Sequence, residues 1–339
     1  MGNEVTFPSS ALASECKHFT ETHTLKKTTI SAPQPIVWRY YDVGDEHFPT
    51  VVCIPGAVET SAVFFQQILF LSTQKLRVIA TEIPECSSYS TLLQSFNHLL
   101  SFLGVQKLHL VGSGLGGFFL LLFSKRQTSR VKSLLLLNSF GSNKKFRREM
   151  HERTLLTIKT IKGLLLDEHS TVEKNTDNET ARQLVEYIIH STDPEILLSR
   201  QLLLTRWRKI DHPVMDDRRI SLVITTDCPA AITRHAKSLA RHYPNAHYYE
   251  MKAGGEFPHL SQPNDLNMYL LVHLRRYEQS LYPLLSADDP PCSKESPQLE
   301  SPTTRTDRAG LFFSSPSQGP SDDNIDEEND GQADSSESR

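Results

Sequence analysis

The chain has 339 residues, of which 38% are apolar and 22% are charged, and its net charge is −4 at pH 7. This length allows one large domain or two small ones. No apolar run reaches the roughly 18 residues that cross a membrane, and the first 30 residues contain no apolar secretory leader. The charge is too mild and dispersed for a nucleic-acid footprint, so we expect no nucleic-acid partner.

The cysteines and histidines indicate the compartment and argue against a metal site. Five cysteines lie far apart, with no C-x-x-C pair, and the 14 histidines form no H-x-x-x-H or H-E-x-x-H pattern. We therefore expect a reducing, cytosolic compartment, and neither a metal nor a cofactor. The opening residues 1–6 match the short N-myristoylation pattern at Gly2.

Strand and helix patterns alternate along the body of the chain, which predicts a doubly wound, mostly parallel sheet. We expect a flexible N-terminus over residues 1–20 and one α/β domain over residues 21–285. The predicted strands lie within 36–44, 49–56, 76–84, 107–112, 131–140, 220–227 and 246–255. The predicted helices lie within 62–72, 91–104, 115–127, 230–244 and 263–281, the last with Asn264 or Asp265 near its cap.

Residues 143–210 break this alternation because they contain two long helical patterns, over 144–166 and 181–207. An insertion at this place in such a sheet is expected to cover the carboxyl ends of the strands, where ligands bind. The sequence therefore predicts a helical cap over residues 143–210.

The segment 286–339 has a different composition from the rest of the chain. It is rich in Ser, Pro, Asp and Glu, and it carries 13 acidic and 4 basic residues. Such a segment buries too little apolar surface to offset its ordering entropy. We predict a disordered acidic tail, interrupted only by the apolar residues 311–313.

The stretch "VGSGLGG", residues 111–117, lies between a strand pattern and a helix pattern. This is where an α/β-hydrolase carries its nucleophile, at the centre of a G-x-S-x-G turn. Here the central position is Gly114, which has no side chain, and the only serine, Ser113, comes one residue earlier. The nucleophile of that chemistry is therefore missing from its usual position.

The other two positions of a hydrolase triad can be placed by chain order. The acid position is Asp227, at the end of the strand pattern "LVITTD", and the base position in the turn "AGGEFPHL" is Glu256. A carboxylate at 256 is expected to repel Asp227 instead of acting as the histidine base. With Gly114, two of the three triad positions are lost, so we predict a protein that is not an enzyme.

Two alternatives remain open from the residues alone. In the first, Ser113 is a displaced nucleophile and His259 is its base, which would give a weak serine hydrolase. In the second, "GSGLGG" is the G-x-G-x-x-G turn of a dinucleotide-binding fold, although no acidic residue ends the following strand and the motif comes more than 100 residues into the chain.

Several segments are similar to the maspardin family, a group of non-catalytic proteins with an α/β-hydrolase-like fold. The resemblance covers about residues 20–280. In that family the elbow usually keeps its serine, so Gly114 departs from the family pattern. The base position of the family usually has an asparagine, so Glu256 continues the family's loss of the histidine. The matching segments are 61–69, 109–118, 136–140, 241–246, 252–260 and 267–274.

This resemblance implies an adaptor or negative regulator. The implied partners are the cytoplasmic tail of a T-cell co-receptor, with negative regulation of T-cell activation, and an aldehyde-dehydrogenase-like protein. The implied location is cytosolic with endosomal and trans-Golgi association, including peripheral membrane contact. We expect a partner surface on the cap or around residues 56–58, Ser113, Gly114, Glu256 and His259, and a small-ligand receptor is a further alternative.

Overall fold

The computed structural model describes residues 7–31, 33–144, 160–168, 175–206, 208, 210 and 213–281. The chain divides into two units, residues 1–284 and 285–339, and all described residues belong to the first. The predicted acidic tail, the Gly2 acylation pattern and residues 145–159 of the predicted cap lie outside the described residues.

Eight strands form one sheet in the order β1-β2-β4-β3-β5-β6-β7-β8. β2 runs antiparallel to both of its neighbours, and all other pairs are parallel. The predicted mostly parallel sheet is thus confirmed. The strands are β1 Lys26–Ile30, β2 Ile36–Val43, β3 Thr50–Ile54, β4 Arg77–Thr81, β5 Leu108–Ser113, β6 Val131–Leu137, β7 Ile220–Thr225 and β8 His247–Met251.

The helices described by the structure cover both faces of this sheet. Every residue of the central strands β3 and β5 is therefore buried, as expected for parallel strands enclosed by helices. The helices are α1 Ala11–Thr22, α2 Phe65–Thr73, α3 Tyr89–Phe102, α4 Gly114–Arg126, α5 Ile161–Glu168, α6 Thr176–Ser191, α7 Pro194–Thr205, α8 Ala230–Ala240, α9 Pro258–Ser261 and α10 Pro263–Arg275.

Helix α1 corrects the prediction of a flexible N-terminus for residues 11–20. The Ser10 side chain caps the helix by accepting a hydrogen bond from the Ala13 amide at 3.2 Å. Ala13, Cys16 and Phe19 are buried in the core cluster on one face of the sheet. These three residues are spaced three apart and lie on one face of the helix. Their burial, and not the helix propensity of the segment, holds α1 against the domain.

The described part of the predicted cap is helical, but the single helix predicted over 181–207 is two helices. α6 ends at Ser191, and α7 begins at Pro194, which stands in the first turn. Proline has no amide hydrogen to continue a preceding helix, whereas it suits the first helical turn. The last helix, α10, begins after Gln262, so Asn264 and Asp265 lie in its first turn, near the cap as predicted.

A buried arginine fastens the cap to the sheet. Arg200 of α7 is fully buried, and its guanidinium donates to the carbonyl oxygens of Ile83 and Glu59, both at 2.7 Å. It also forms an ion pair with the buried Glu82 at 3.6 Å. The cap is therefore fixed to the loops that follow β3 and β4, which are the loops at the carboxyl ends of the strands.

We predict that Arg200→Ala lowers the free energy of unfolding by about 3–5 kcal/mol, because it leaves two buried carbonyl oxygens without their donor and removes one of the two ion pairs of the buried Glu82, which keeps only Arg39. Urea denaturation followed by circular dichroism measures this loss. Lys17→Ala is the matched control, because it removes an exposed ion pair with Glu21 that is worth less than about 1 kcal/mol. If Arg200→Ala and Lys17→Ala lower the free energy of unfolding equally little, Arg200 does not fix the cap to the sheet.

Candidate functional site

The turn between β5 and α4 has the geometry of a nucleophile elbow. β5 ends at Ser113 and α4 begins at Gly114, so strand passes directly into helix. Gly114 has a φ of +45°, a left-handed conformation that strains residues other than glycine. The apex of the turn is therefore residue 114, where a hydrolase carries its nucleophile, and here the apex has no hydroxyl group.

The glycines flanking the apex are required by packing. A Cβ atom on Gly116 would lie 2.3 Å from the Ile54 carbonyl oxygen, and one on Gly112 would lie 2.7 Å from the Gly117 backbone. A Cβ on Gly114, in contrast, would have Gly56 Cα at 3.9 Å as its nearest neighbour. The fold thus leaves space for a side chain at the apex, and the sequence does not use it.

Beneath the elbow, Ser113, Glu59 and His259 form a buried cluster. The Glu59 Oε2 atom accepts hydrogen bonds from the Ser113 hydroxyl at 3.1 Å and from the Gly56 amide at 2.6 Å. Its Oε1 atom lies 2.6 Å from His259 Nε2. The sequence analysis missed Glu59, because no motif marks a carboxylate in the loop after β3.

Glu59 is held in its charged form despite complete burial. Burial by itself raises the pKa of a carboxyl group, but the charge and hydrogen bond of His259, the Gly56 amide and the Ser113 hydroxyl together lower the pKa of Glu59 below its ordinary value. The Glu59 carboxylate is therefore a fixed negative charge under the turn.

This cluster differs from the arrangement that the displaced-nucleophile alternative needs. In a triad the imidazole lies between the serine and the acid, so that it can take the hydroxyl proton. Here the carboxylate of Glu59 lies between Ser113 and His259. The other ring nitrogen of His259, Nδ1, has no hydrogen-bond partner among the described residues, so no acid orients the imidazole from behind.

Asp227, at the acid position, holds backbone and cap instead of a histidine. Its carboxylate accepts hydrogen bonds from the amides of Gly254 at 3.0 Å and Gly255 at 2.8 Å, and from Asn178 Nδ2 of the cap helix α6 at 2.9 Å. The Asp227 carboxylate therefore links the turn after β8 to the cap.

The base position is set by the same turn. The side chain of Asn138, after β6, donates to the carbonyl oxygen of Gly255 at 3.2 Å, and Thr225 donates to the same oxygen at 2.6 Å. This places the half-buried Glu256 beside the loop of Asp227. The turn that carries the base in a hydrolase is preserved, with a carboxylate in place of the imidazole.

The predicted partner surface is only partly accessible. Val58, Ser113 and His259 are buried, and they support the turn from below. Gly56, Ala57, Gly114 and Glu256 are half-buried, so these are the predicted surface residues that a ligand or partner could contact.

The described residues contain no group of three or more His, Cys, Asp or Glu side chains placed to hold a metal ion. The helices in the described ranges all fall short of the combination of length and hydropathy that spans a membrane. Neither finding identifies a ligand.

Sequence comparison gives relatives of known name. The chain is 27% identical to the maspardin of Danio rerio over 275 residues, which cover 80% of this chain and 88% of the relative. It is 28% identical to the maspardins of Homo sapiens and Mus musculus over 269 residues, 78% of this chain and 87% of each relative. No protein-family model matches. These matches confirm the resemblance to maspardin.

Structural comparison gives neighbours with an α/β-hydrolase fold. A Thermogutta terrifontis esterase superposes with a TM-score of 0.62 at 18% identity, covering 74% of this chain and 99% of the esterase. A carboxylesterase of the thaumarchaeon Nitrososphaera gargenis has a TM-score of 0.61 at 14% identity, with coverage of 74% and 98%. The predicted fold class is confirmed, and "GSGLGG" is the elbow of this fold and not the first turn of a dinucleotide-binding domain.

We predict that Gly116→Ala destabilises the domain more than Gly114→Ala. The first substitution forces a methyl group against the Ile54 carbonyl and costs several kcal/mol through displaced backbone. The second costs only the positive-φ strain, about 1 kcal/mol. Thermal denaturation of both variants shows which is less stable. A lower stability of Gly114→Ala would show that packing is tightest at the apex, and not at the contact between Gly116 and the Ile54 carbonyl.

Proposed function

We propose that this chain, a maspardin homologue with an α/β-hydrolase fold, is a non-catalytic protein that acts by binding protein partners. The observation that carries the proposal is Gly114. The elbow keeps its strained geometry and has space for a side chain, but the residue at its apex has no hydroxyl group with which to form an acyl intermediate.

The size of the catalytic loss supports this proposal. Removing the nucleophile or the base of a serine hydrolase lowers the rate by about 10⁶-fold, and both positions are changed here, to Gly114 and Glu256. The remaining polar groups bond to structural partners. Asp227 accepts hydrogen bonds from the turn after β8 and from the cap, and Ser113 donates to the Glu59 carboxylate. A residual rate from backbone donors would be too low for a physiological hydrolase.

We further propose that the partner surface lies on the cap, next to the half-buried elbow. Leu202 on the cap helix α7 is 40% exposed, which makes it an accessible apolar contact. By the resemblance to maspardin, the proposed partners are a T-cell co-receptor cytoplasmic tail and an aldehyde-dehydrogenase-like protein, and the proposed location is the cytosol with endosomal and trans-Golgi association.

A small-ligand receptor is the second candidate, and one observation favours it. A groove of about 400 Å³ lies between α1 and the cap helix α6, and its wall includes Phe7, Leu184, Tyr187 and Ile188. Polar and charged side chains of α1 also line this groove, so it suits a ligand with both apolar and polar groups. Native mass spectrometry of the purified full chain would detect such a ligand as an added mass.

We predict that a fluorophosphonate probe does not label the full chain, and that Gly114→Ser does not restore labelling, because none of the histidines that the structure describes is placed to activate the new hydroxyl group. Intact-mass spectrometry measures labelling, with a serine esterase of the same fold as positive control. Stoichiometric labelling that disappears in Ser113→Ala would instead establish the displaced hydrolase.

We predict that Leu202→Asp reduces capture of specific partners at least tenfold, whereas Phe102→Asp leaves it unchanged. Phe102 is the matched control because it is 64% exposed and lies on α3, outside the cap. Affinity purification with quantitative mass spectrometry compares these variants with the full chain and with a chain ending at residue 285. If only the removal of residues 286–339 abolishes capture, the tail and not the cap recruits partners.

A further inference from the structure

A second polar cluster lies at the amino ends of the central strands, away from the elbow. Five buried residues, which we call the His–Ser chain, are joined by hydrogen bonds in the order Glu278, His109, Ser133, His273 and Ser221. Glu278 Oε1 lies 2.9 Å from His109 Nε2, and Ser133 Oγ lies 2.6 Å from His109 Nδ1. His273 Nε2 lies 2.7 Å from Ser133 Oγ, and His273 Nδ1 lies 2.7 Å from Ser221 Oγ.

The His–Ser chain ties the end of the domain to its sheet. His109, Ser133 and Ser221 are on the adjacent strands β5, β6 and β7, whereas His273 is in the last turn of α10 and Glu278 follows that helix. The chain therefore connects three strands to residues 273–278. None of its members contacts the elbow cluster of Ser113, Glu59 and His259 among the described contacts.

The direction of every hydrogen bond follows from the carboxylate. Glu278 also forms an ion pair with Lys132, so it accepts, and neutral His109 donates to it from Nε2. His109 Nδ1 then accepts from the Ser133 hydroxyl, Ser133 Oγ accepts from His273 Nε2, and His273 Nδ1 accepts from Ser221. All groups are satisfied while both imidazoles are neutral.

Each extra proton leaves a hydroxyl hydrogen without an acceptor in the chain. If His109 gains a proton at Nδ1, Ser133 accepts from it and donates to His273, which then donates to Ser221, so the Ser221 hydroxyl hydrogen loses its acceptor. If both imidazoles are charged, both donate to Ser133, and the Ser133 hydroxyl hydrogen has no acceptor in the chain. A buried donor without a partner costs about 1–3 kcal/mol, in addition to the burial of a second charge.

Burial and the cationic groups around the two imidazoles lower their pKa values, and only Glu278 acts in the opposite direction. Burial comes first in lowering the pKa of His109, and Lys132 and Arg219 add to it, while Glu278 opposes it. Burial likewise lowers the pKa of His273 well below its ordinary value, assisted by His109, Arg276 and His247. The ring of Tyr277 packs against both imidazoles, at centroid distances of 6.1 and 5.4 Å. The closed arrangement therefore favours two neutral imidazoles.

We propose that the His–Ser chain is an acid-sensitive latch, which holds the last turn of α10 and residues 277–281 against the sheet and opens as both histidines take up protons. The opened segment exposes the amino ends of β5, β6 and β7 together with Tyr277. This device is independent of the proposed partner binding at the cap, because it uses different residues at the opposite end of the strands.

The pH dependence of latch opening follows from the two histidines. In the open state each histidine has an ordinary pKa of about 6.5, and in the closed state it stays neutral, so each raises the opening constant about tenfold between pH 7.5 and pH 5.5. The sign is that of a lowered folded-state pKa: closure is favoured above about pH 6.5 and weakens as the pH falls. Two histidines together give about 100-fold.

Amide hydrogen exchange of the full chain at pH 7.5 and pH 5.5, corrected for intrinsic rates, measures the opening of residues 273–281. We expect the opening constant to rise about 100-fold from pH 7.5 to pH 5.5 in the wild type and about tenfold in His273→Gln. His47→Gln is the matched control, because His47 is exposed, and it should keep the 100-fold change. Exchange in α3 and α4 should change less than threefold over the same pH range.

A second measurement keeps the proposal testable if His273→Gln does not fold. Imidazole nitrogen chemical shifts of the wild type, followed from pH 8 to 5, should show both buried histidines neutral in the closed state. The proposal is overturned if both titrate near pH 6.5 in the closed protein. It is also overturned if the corrected exchange rate of residues 273–281 changes less than threefold between the two pH values. If α3 and α4 open to the same extent, the protein unfolds globally, and the latch is likewise overturned.

Discussion

The close approach of α4 to strands β3 and β5 is the constraint on which the rest of the structure depends. A methyl group on Gly116 would lie within 2.4 Å of two carbonyl oxygens at the end of β3, and one on Gly112 would touch Gly117. The helix can therefore follow the strand only if these positions are glycine. Because this requirement is steric, it holds whatever residue stands at the apex. Among the glycines of the elbow, residues 112, 114, 116 and 117, only Gly114 has space for a side chain, and it stands where a hydrolase carries its hydroxyl group.

The polar groups at this end of the sheet have become structural. Glu59 is a buried charge that ties together the Gly56 loop, the elbow and α9. Asp227 joins the turn after β8 to the cap helix α6, and Arg200 joins α7 to the loops after β3 and β4. Each bond satisfies a group whose burial without a partner would be costly. The cap is consequently held over the elbow by hydrogen bonds and ion pairs in addition to apolar contacts.

The two ends of the strands carry different kinds of polar cluster. At the carboxyl ends, hydrogen bonds lower the pKa of the buried Glu59 below its ordinary value, so the surroundings favour its charged form, and Arg200 is bonded to Glu82 and to backbone carbonyls. At the amino ends the His–Ser chain buries two imidazoles among cationic neighbours, so the surroundings favour neutrality. The amino ends of the strands thus hold groups whose protonation opens the latch, whereas the apex of the elbow at the carboxyl ends has no hydroxyl group.

The sequence alone determined the order of the main strands and helices, the elbow and the absence of a hydroxyl group at Gly114, because these depend on local periodicity and on residue type. It did not determine β1 or α1, whose residues are only partly apolar and are stabilised by the sheet they join. It also gave no sign of Glu59 or of the His–Ser chain, since their members lie up to 200 residues apart. Only the tertiary structure decides which distant polar side chains share a buried space, and therefore which of them are charged.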